Sequence, residues 1–340
     1  MPRSSETPTP AWPRLRLLGR LAMTATLLGG CSMVDTLSAA RTRRLARRGV
    51  EARTVTLGDE TLRYWSGGTG EDAVVFLHGF GGDALWQWYP ELRDFAKDHR
   101  VIAPDLLWFG GSKSQVEDFS IQHQARAVRA LLAYEGIDHY DLVGLSYGGM
   151  VSHELVGQDP HAVLRVILVA SPARAFLAED KAPILAELGL HSADELLLPR
   201  DADGLNRLMR LAYADPPWVP RFIGRQVVDE FYTPHRREHV AMLTNVEANT
   251  AIHRVTYAVP PTHRTLILWG HDDRVFPPRA AVRLKAELGD NAQLCVFEGS
   301  AHAPHLERKE QVIPVMRSFL DGHSIRCPTT IDGKTDWSEG

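Results

Sequence analysis

Several features that mark large classes of proteins are missing from this sequence. No histidine spacing resembles H-E-x-x-H or a related ligand pattern, so neither a metal nor another cofactor is expected. No internal repeat or low-complexity run stands out. Positive charge is scarce beyond the N-terminus, because residues 54–340 carry 28 Lys and Arg against 39 Asp and Glu. An acidic body with a net charge of −11 gives no reason to expect nucleic-acid binding.

A long apolar segment is also missing, so the N-terminus is not expected to cross a membrane as a full transmembrane helix. Residues 21–28 form an apolar run behind Arg14, Arg16 and Arg20, and the run is too short to span a bilayer. Its length and its basic flank are those of a secretory signal. Residues 28–31 read Leu-Gly-Gly-Cys, which resembles the signal of bacterial lipoproteins, in which the chain is cut before the cysteine and the thiol receives a diacylglycerol.

This resemblance implies a location for the protein. Residues 1–30 would be removed, and Cys31 would tether the mature chain to a membrane of the bacterial cell envelope through its lipid. Ser32, in place of aspartate after the cysteine, favours the periplasmic side of the outer membrane. An uncleaved signal anchor is one alternative, and a cytoplasmic protein with a chance Leu-Gly-Gly-Cys is another.

Residues 31–51 are rich in arginine and are interpreted as a basic tether. The arginines are interleaved with Leu37, Leu45 and Val50, and they are Arg41, Arg43, Arg44, Arg47 and Arg48. The pattern is that of a basic amphipathic segment that lies on an anionic bilayer. A solvated tether explains it equally well.

The most informative residues are 144–148, which read Gly-Leu-Ser-Tyr-Gly. They follow a buried strand predicted at residues 141–145 and precede a predicted helix at residues 148–158. A strand that turns sharply into a helix around G-x-S-x-G holds its serine on a strained elbow, with the hydroxyl exposed for attack on a carbonyl. Because the pattern also arises by chance, its meaning depends on the rest of the chain.

Three further strands end in residues that could assist the attack of a serine on a carbonyl. A strand at residues 72–77 runs into His-Gly-Phe-Gly-Gly at 78–82, a loop whose backbone N–H groups could stabilise an oxyanion. A strand at 265–270 is followed by Asp272 and Asp273, and a strand at 293–297 is followed by His302 and His305. The order serine, acid, histidine along the chain is that of α/β-hydrolases.

These motifs, H-G-F-G-G, G-L-S-Y-G-G, W-G-H-D-D and G-S-A-H, resemble those of the α/β-hydrolase superfamily and, within it, the branch of small esterases and lipases. The resemblance covers residues 52 to 321. It implies an α/β-hydrolase fold, which is a mostly parallel central sheet flanked by helices, with a helical cap inserted over the serine. It is much less specific for the substrate, because this fold hosts many chemistries.

The resemblance also implies roles for single residues. Ser146 would be the nucleophile, His302 the general base, and Asp273 the acid that orients His302. The backbone N–H groups of Phe80 and Tyr147 would form the oxyanion hole. The spacing in the family favours Asp273 over Asp272 and His302 over His305, and it gives His78 a structural role.

The expected organisation follows from these assignments. The core comprises residues 52–171 and 262–322, the cap residues 172–261, and a loosely ordered tail residues 323–340. Aromatic residues of the cap are candidates for the pocket or its entrance: Trp218, Phe222, Phe231 and Tyr232. Cys295 is expected in the core, and export would permit a disulfide to Cys327 that the sequence cannot establish.

The predicted function is hydrolysis of carboxylic esters through an acyl-enzyme, and a lipase or phospholipase of the envelope is its narrower form. The expected partners are a small-molecule or lipid ester and a membrane reached through the anchor. Hydrolysis of C–C bonds or lactones on the same triad is an alternative, and a catalytically silent lipid-anchored binding protein is another. The oligomeric state is left open.

Overall fold

A nine-stranded sheet forms the centre of the computed structural model, which describes residues 32–172, 175, 178–252 and 263–327. The strands are β1 (Val50–Leu57), β2 (Glu60–Gly68), β3 (Ala73–Leu77), β4 (Arg100–Pro104), β5 (Lys113–Ser114), β6 (Tyr140–Leu145), β7 (Val163–Val169), β8 (Arg264–Gly270) and β9 (Ala292–Phe297). Their order across the sheet is β1-β2-β4-β3-β6-β7-β8-β9, and β5 pairs with β2. The strands from β4 to β9 in this order run parallel, whereas β2 pairs antiparallel with its neighbours. The predicted fold class is thereby confirmed.

Helices cover both faces of the sheet, which explains why the central strands are apolar throughout. The flanking helices are α1 (Met33–Ala46), α2 (Ala84–Phe95), α3 (Ile121–Tyr134), α4 (Tyr147–Gln158), α10 (Pro278–Leu288), α11 (Pro304–Glu307) and α12 (Lys309–Leu320), and a 3₁₀ turn spans Gly289–Asn291. All residues of β3 and β6 are buried. Two separate apolar clusters, one on each face of the sheet, fill the space between strands and helices.

The cap lies between β7 and β8, as the sequence predicts. It consists of α5 (Ala178–Leu188), α6 (Ala193–Leu197), α7 (Ala202–Ala212), α8 (Arg221–Phe231) and α9 (Arg236–Ile252). Its leucines form a small apolar core of their own together with Val228 and Tyr232. The last part of the expected cap, residues 253–261, lies outside the described residues.

The sequence predicts a helix at about residues 91–98, whereas in the structure helix α2 begins seven residues earlier, at Ala84. In the structure Asp83 caps the helix by accepting a hydrogen bond from the Trp86 N–H at 2.8 Å, and Pro90 lies inside it. Since Pro90 has no N–H, the carbonyl of Trp86 lacks its usual helical donor, and Arg41 Nη1 donates to it at 3.5 Å.

The arginine-rich segment is part of the folded body and differs from the tether expected at residues 31–51. Ser32 caps α1, and Val34 and Leu45 on this helix are buried. The helix packs against α2 and α8, and Gln226 of α8 accepts a hydrogen bond from the Met33 N–H at 2.9 Å. The predicted signal, residues 1–30, and Cys31 lie outside the described residues. Within the described residues, no helix has the length and hydropathy needed to cross a membrane.

Cys295 and Cys327 form a disulfide. Cys295 is fully buried in β9, as expected, and the bond fixes the chain at Cys327 to the sheet. The expected tail, residues 323–340, therefore includes a segment that is tied to the core. Residues 328–340 lie outside the described residues.

Candidate active site

Ser146 lies at the turn from β6 into α4 with an unusual backbone. Its φ of 51° and ψ of −115° are far from the values that non-glycine residues favour. The turn is crowded, because a Cβ added to Gly148 would lie 2.2 Å from the carbonyl oxygen of Leu77. Any side chain at position 148 would therefore push β3 away from the elbow. The geometry agrees with the strained elbow predicted from G-x-S-x-G.

Asp273 and His302 are hydrogen-bonded to each other in the structure. Nδ1 of His302 donates to Oδ2 of Asp273 at 3.0 Å. The other carboxylate oxygen accepts from the N–H groups of Val275 at 2.8 Å and Phe276 at 2.9 Å, so the buried carboxylate is fixed in place. With Nδ1 as the donor, Nε2 of His302 remains available to accept a proton.

Two neighbouring strands bring this pair together. The ends of β8 and β9 are adjacent, with Gly270 opposite Phe297. A Cβ on Gly270 would lie only 2.0 Å from the carbonyl oxygen of Ala301, so the loop that carries His302 passes directly over the end of β8. The cap holds the same loop, because the His302 N–H donates to the Ala212 carbonyl at 3.0 Å.

Asp272 and His305, the alternatives to Asp273 and His302, do not take part in this pair. Asp272 pairs with His271 Nδ1 at 2.8 Å, and its neighbour Asp273 takes the bond to His302. His305 is fully buried with its ring 4.8 Å from that of Trp88, and burial lowers its pKa to about 3. The structure thus brings together the two residues that the family spacing favours.

The buried side chain of His78 stabilises the loop at residues 78–82 through two hydrogen bonds. Its Nδ1 donates to the Gly79 carbonyl at 2.8 Å, and its Nε2 accepts from the Leu106 N–H at 2.9 Å. The ring is completely buried, and this burial lowers its pKa. Both nitrogens are used by the neutral ring, which agrees with the structural role expected for this residue.

Gln87 on α2 is a residue of this site that the sequence motifs do not reveal. Its Oε1 accepts from the Gly79 N–H at 2.8 Å, and its Nε2 donates to the carbonyls of Gly79 and Phe80, both at 3.2 Å. One side-chain amide therefore fixes three consecutive peptide units of the loop. No spacing rule singles out this glutamine, because it lies eight residues from Gly79, in another element.

Phe80 and Tyr147 flank Ser146 on the cavity wall. The elbow and the loop start side by side, because Leu77 at the end of β3 pairs with Gly144 of β6. The two aromatic rings meet edge to face at 4.9 Å, which packs the loop against the start of α4. The N–H groups of these residues thus belong to two elements in contact.

A large open cavity of about 2680 Å³ contains this site. Ser146, Phe80, Tyr147 and His302 line it, together with residues of α1, α2 and the cap. Most of the cap residues that line it are apolar, and they include Ile184, Leu185, Leu196, Leu197, Leu205, Leu208, Met209, Val219, Ile223, Val227, Leu243 and Val246. Of the four candidate aromatic residues, Trp218, Phe231 and Tyr232 line the cavity. Phe222 is not part of its wall.

Comparison with known proteins places the chain in a family. Residues 72–309, more than half of the chain, match the alpha/beta hydrolase fold family. The chain therefore belongs to this family.

Individual relatives differ in what they act on. The chain is 29% identical to a 2-hydroxy-6-oxo-2,4-heptadienoate hydrolase of Pseudomonas putida over 73% of this chain and 88% of the relative. It is 22% identical to Lipase 3 of a Moraxella species over 91% and 98%. A solved structure of a membrane phospholipase A, a bacterial virulence factor, matches with a TM-score of 0.69 at 24% identity over 91% of this chain and 98% of that one. The last likeness shows the fold alone.

The Gln87 contacts predict a kinetic effect. Gln87→Met keeps the size of the side chain but removes three hydrogen bonds to the loop, so kcat for a cleavable substrate should fall about tenfold or more with little change in KM. Steady-state kinetics and a melting curve measure this. Gln124→Met is the matched control, because Gln124 braces the backbone of Leu107 in the same way without contacting the loop at 78–82. Equal losses of kcat in both variants would mean that Gln87 supports only stability.

Proposed function

We propose that the protein is a serine hydrolase that cleaves carboxylic esters through an acyl-enzyme. The observation that carries the proposal is the cavity lined by both the strained Ser146 and His302, the histidine hydrogen-bonded to the buried Asp273. Ser146 is the nucleophile, His302 the general base, and Asp273 the residue that orients and stabilises the imidazolium. No other described histidine that lines the cavity is bonded to a buried carboxylate.

The reaction runs in two halves. Oγ of Ser146 attacks the ester carbonyl while its proton passes to Nε2 of His302, and the oxyanion that forms is stabilised by the N–H groups of Phe80 and Tyr147. The C–O bond then breaks, and His302 returns the proton to the leaving alcohol. Water attacks the acyl-enzyme with His302 again as the base, which releases the acid and restores Ser146.

Substitution in the triad tests the proposal. Ser146→Ala and His302→Ala should each lower kcat for a p-nitrophenyl ester by about 10⁴-fold or more, and Asp273→Asn somewhat less, because the three residues act as a unit. Asp272→Asn is the matched control and should keep the rate.

A fluorophosphonate probe, which reacts with an activated serine, should label the wild type and fail to label Ser146→Ala. Loss of activity in Asp272→Asn with full activity in Asp273→Asn would contradict the assignment, and an unlabelled wild type would favour a silent binding protein.

The narrower proposal is a lipase or phospholipase. A cavity of about 2680 Å³ exceeds the range of about 300–1,000 Å³ that is usual for sites of small ligands. The apolar cap residues provide a surface for an acyl chain, because burial of each methylene contributes about 0.8 kcal/mol. Lipase 3 of a Moraxella species is among the similar proteins, which agrees with this substrate class.

Acyl-chain preference distinguishes a lipase from a small-ester carboxylesterase. With p-nitrophenyl esters, kcat/KM should rise by up to about fourfold per added CH2 until the pocket is full, so that medium or long chains are preferred over acetate. Met209→Trp, on the cavity wall, should shift the optimum to shorter chains. Phe222→Trp adds a similar bulk outside the wall of the cavity and should leave the optimum unchanged. A wild type that prefers acetate, with rates dropping beyond butyrate, would exclude the lipase.

Hydrolysis of a C–C bond is the second candidate. It is favoured by the 29% identity to a hydrolase of 2-hydroxy-6-oxo-2,4-heptadienoate, a reaction that also runs on this fold. Assay of that compound beside the ester panel, at matched enzyme concentration, decides between the two. A kcat/KM for the dienoate above that of every ester would replace the esterase proposal.

We also propose that Cys31 carries a lipid that holds the protein on the envelope, on the periplasmic side of the outer membrane. Support comes from the signal-like residues 14–31 and from the start of α1 at Met33, which leaves only Ser32 between the attachment point and the body. Leu37 and Trp218, which line the cavity, are 41% and 85% exposed. Exposed apolar side chains near a membrane anchor can insert between lipid headgroups.

Replacement of the proposed attachment residue tests the anchor. Cys31→Ser should release the protein from membranes or block its processing, because no other thiol is a candidate once Cys295 and Cys327 are paired. Metabolic labelling with tagged palmitate and membrane fractionation measure this, and Ser32→Ala serves as the neighbouring control. Label that persists in Cys31→Ser would refute the proposal. An unlabelled but membrane-bound wild type would favour the uncleaved anchor.

A further inference from the structure

Three arginines form one side of the cavity that contains Ser146, and the proposed reaction does not use them. Arg41 and Arg44 lie three residues apart on α1, and Arg93 belongs to α2, the helix against which α1 packs. We call these three residues the arginine wall. Two of them lie outside residues 72–309, the part of the chain that matches the family.

Arg41 is the innermost of the three. Its guanidinium carbon lies 4.2 Å from the centre of the Trp86 ring and 5.4 Å from that of Tyr89. It is half-buried, and this burial lowers its pKa. One of its five N–H donors is directed at the Trp86 carbonyl, so the planar group is held in place while further donors remain for a ligand.

None of the three arginines forms an ion pair with a carboxylate of the described residues. Most acidic side chains that line the same cavity form hydrogen bonds or ion pairs with groups other than these three arginines. Asp94 binds Arg317 and Lys97, and Glu307 accepts from the N–H groups of Ala214 and Ala301. Glu310 lies 3.9 Å from Lys309, and Asp215 and Glu247 also line the cavity. Asp83 is near enough to raise the pKa of Arg41 against the larger effect of burial but forms no ion pair with it, so the half-buried guanidinium remains suited to an anionic ligand.

Two chains of contacts connect Arg41 to the catalytic residues. Trp86, under the guanidinium, precedes Gln87, which fixes the loop at Gly79 and Phe80. On the other side, Arg41 is close enough to Tyr213 to affect its pKa, which burial and Glu307 raise to about 12. Tyr213 follows Ala212, whose carbonyl accepts from the His302 N–H. The arginine wall therefore lies close to the site of the reaction.

The cavity wall thus combines the apolar residues of the cap with the three arginines of α1 and α2. An ester that fits both has an apolar acyl chain and a charged alcohol part. We propose that the arginine wall binds a phosphate or carboxylate group carried by the alcohol part of the ester substrate. The proposal rests on the esterase function proposed above. Guanidinium groups suit both oxyanions, because their forked donors form paired hydrogen bonds with them.

A set of three soluble esters tests the proposal in the full-length protein. The substrates are 1-octanoylglycerol, which is neutral, 1-octanoylglycerol 3-phosphate and 3-octanoylglycerate, all assayed below their micelle concentrations by octanoate release. The wild type should hydrolyse at least one anionic ester with a higher kcat/KM than the neutral ester. A preference for the phosphate alone identifies a phosphate site, and a preference for both anions identifies a general oxyanion site.

Variants of the arginines then locate the preference. Arg41→Gln should lower the ratio of anionic to neutral kcat/KM by about 10- to 100-fold, the effect of losing a charge-assisted hydrogen bond, and Arg44→Gln should lower it to a smaller extent. Arg43→Gln is the matched control, because Arg43 is exposed on the same helix, bonds to the Ala39 carbonyl and does not line the cavity. Arg44→Gln keeps the test valid if Arg41→Gln is unstable, because Arg44 is exposed.

Three results would overturn the inference. They are a wild type without anionic preference, an equal fall of the ratio in Arg43→Gln and Arg44→Gln, and a preference seen only on micelles or vesicles. An equal fall in Arg43→Gln and Arg44→Gln would mean that the preference reflects the net charge of the protein. A preference seen only on micelles or vesicles would mean that an anionic lipid surface attracts α1. Failure of the esterase proposal is distinct from all three, because the neutral ester would then remain uncleaved as well.

Discussion

The close contact between the serine elbow and the end of β3 is the constraint on which the site depends. Ser146 keeps a φ of 51° only because the surrounding backbone holds it there, and the carbonyl of Leu77 leaves no space for a side chain at Gly148. This contact requires β3 and β6 to be neighbours, which the sheet order provides. Because the elbow and the loop at 78–82 are joined so tightly, Ser146 and the N–H groups of that loop cannot shift independently. The pre-organisation that the proposed acyl transfer needs is therefore a property of the sheet.

Asp273 and His302, the other two residues of the proposed triad, are held in a different way. Asp273 is fixed by backbone N–H groups within its own turn, whereas His302 lies on a loop held both by the close approach at Gly270 and by a hydrogen bond to the Ala212 carbonyl of the cap. The position of His302, the proposed base, thus depends on an element that also lines the cavity. Changes in the cap can consequently affect the reaction as well as substrate binding.

The sequence predicts those parts of the structure that local patterns determine. Buried strands appear as apolar runs, and the residues at their ends could be assigned roles through the resemblance of their motifs to those of α/β-hydrolases. Features that depend on distant contacts could not be predicted in this way. The start of α2 at Ala84 depends on the Asp83 cap and on an arginine from α1 beside Pro90, and the role of Gln87 depends on packing against a loop in another element. The sequence could not establish the disulfide between Cys295 and Cys327, because the bond depends on how close the C-terminal segment lies to β9.

Helix α1 shows how a chain can change its cavity without changing the core of its family. Its arginines look like a surface feature in the sequence, since nothing local indicates that Arg41 turns inward. The reason lies in α2: Pro90 frees the Trp86 carbonyl, and the ring of the same tryptophan offers a face to a cation. The Trp86 indole N–H in turn donates to Ser38 on α1 at 2.8 Å, so one residue holds the helix at two points. A segment outside residues 72–309 is thereby built into the wall of the cavity that contains Ser146. The position of Arg41 in that wall depends on the packing of α1 against α2, whereas the geometry of the serine elbow depends on the sheet.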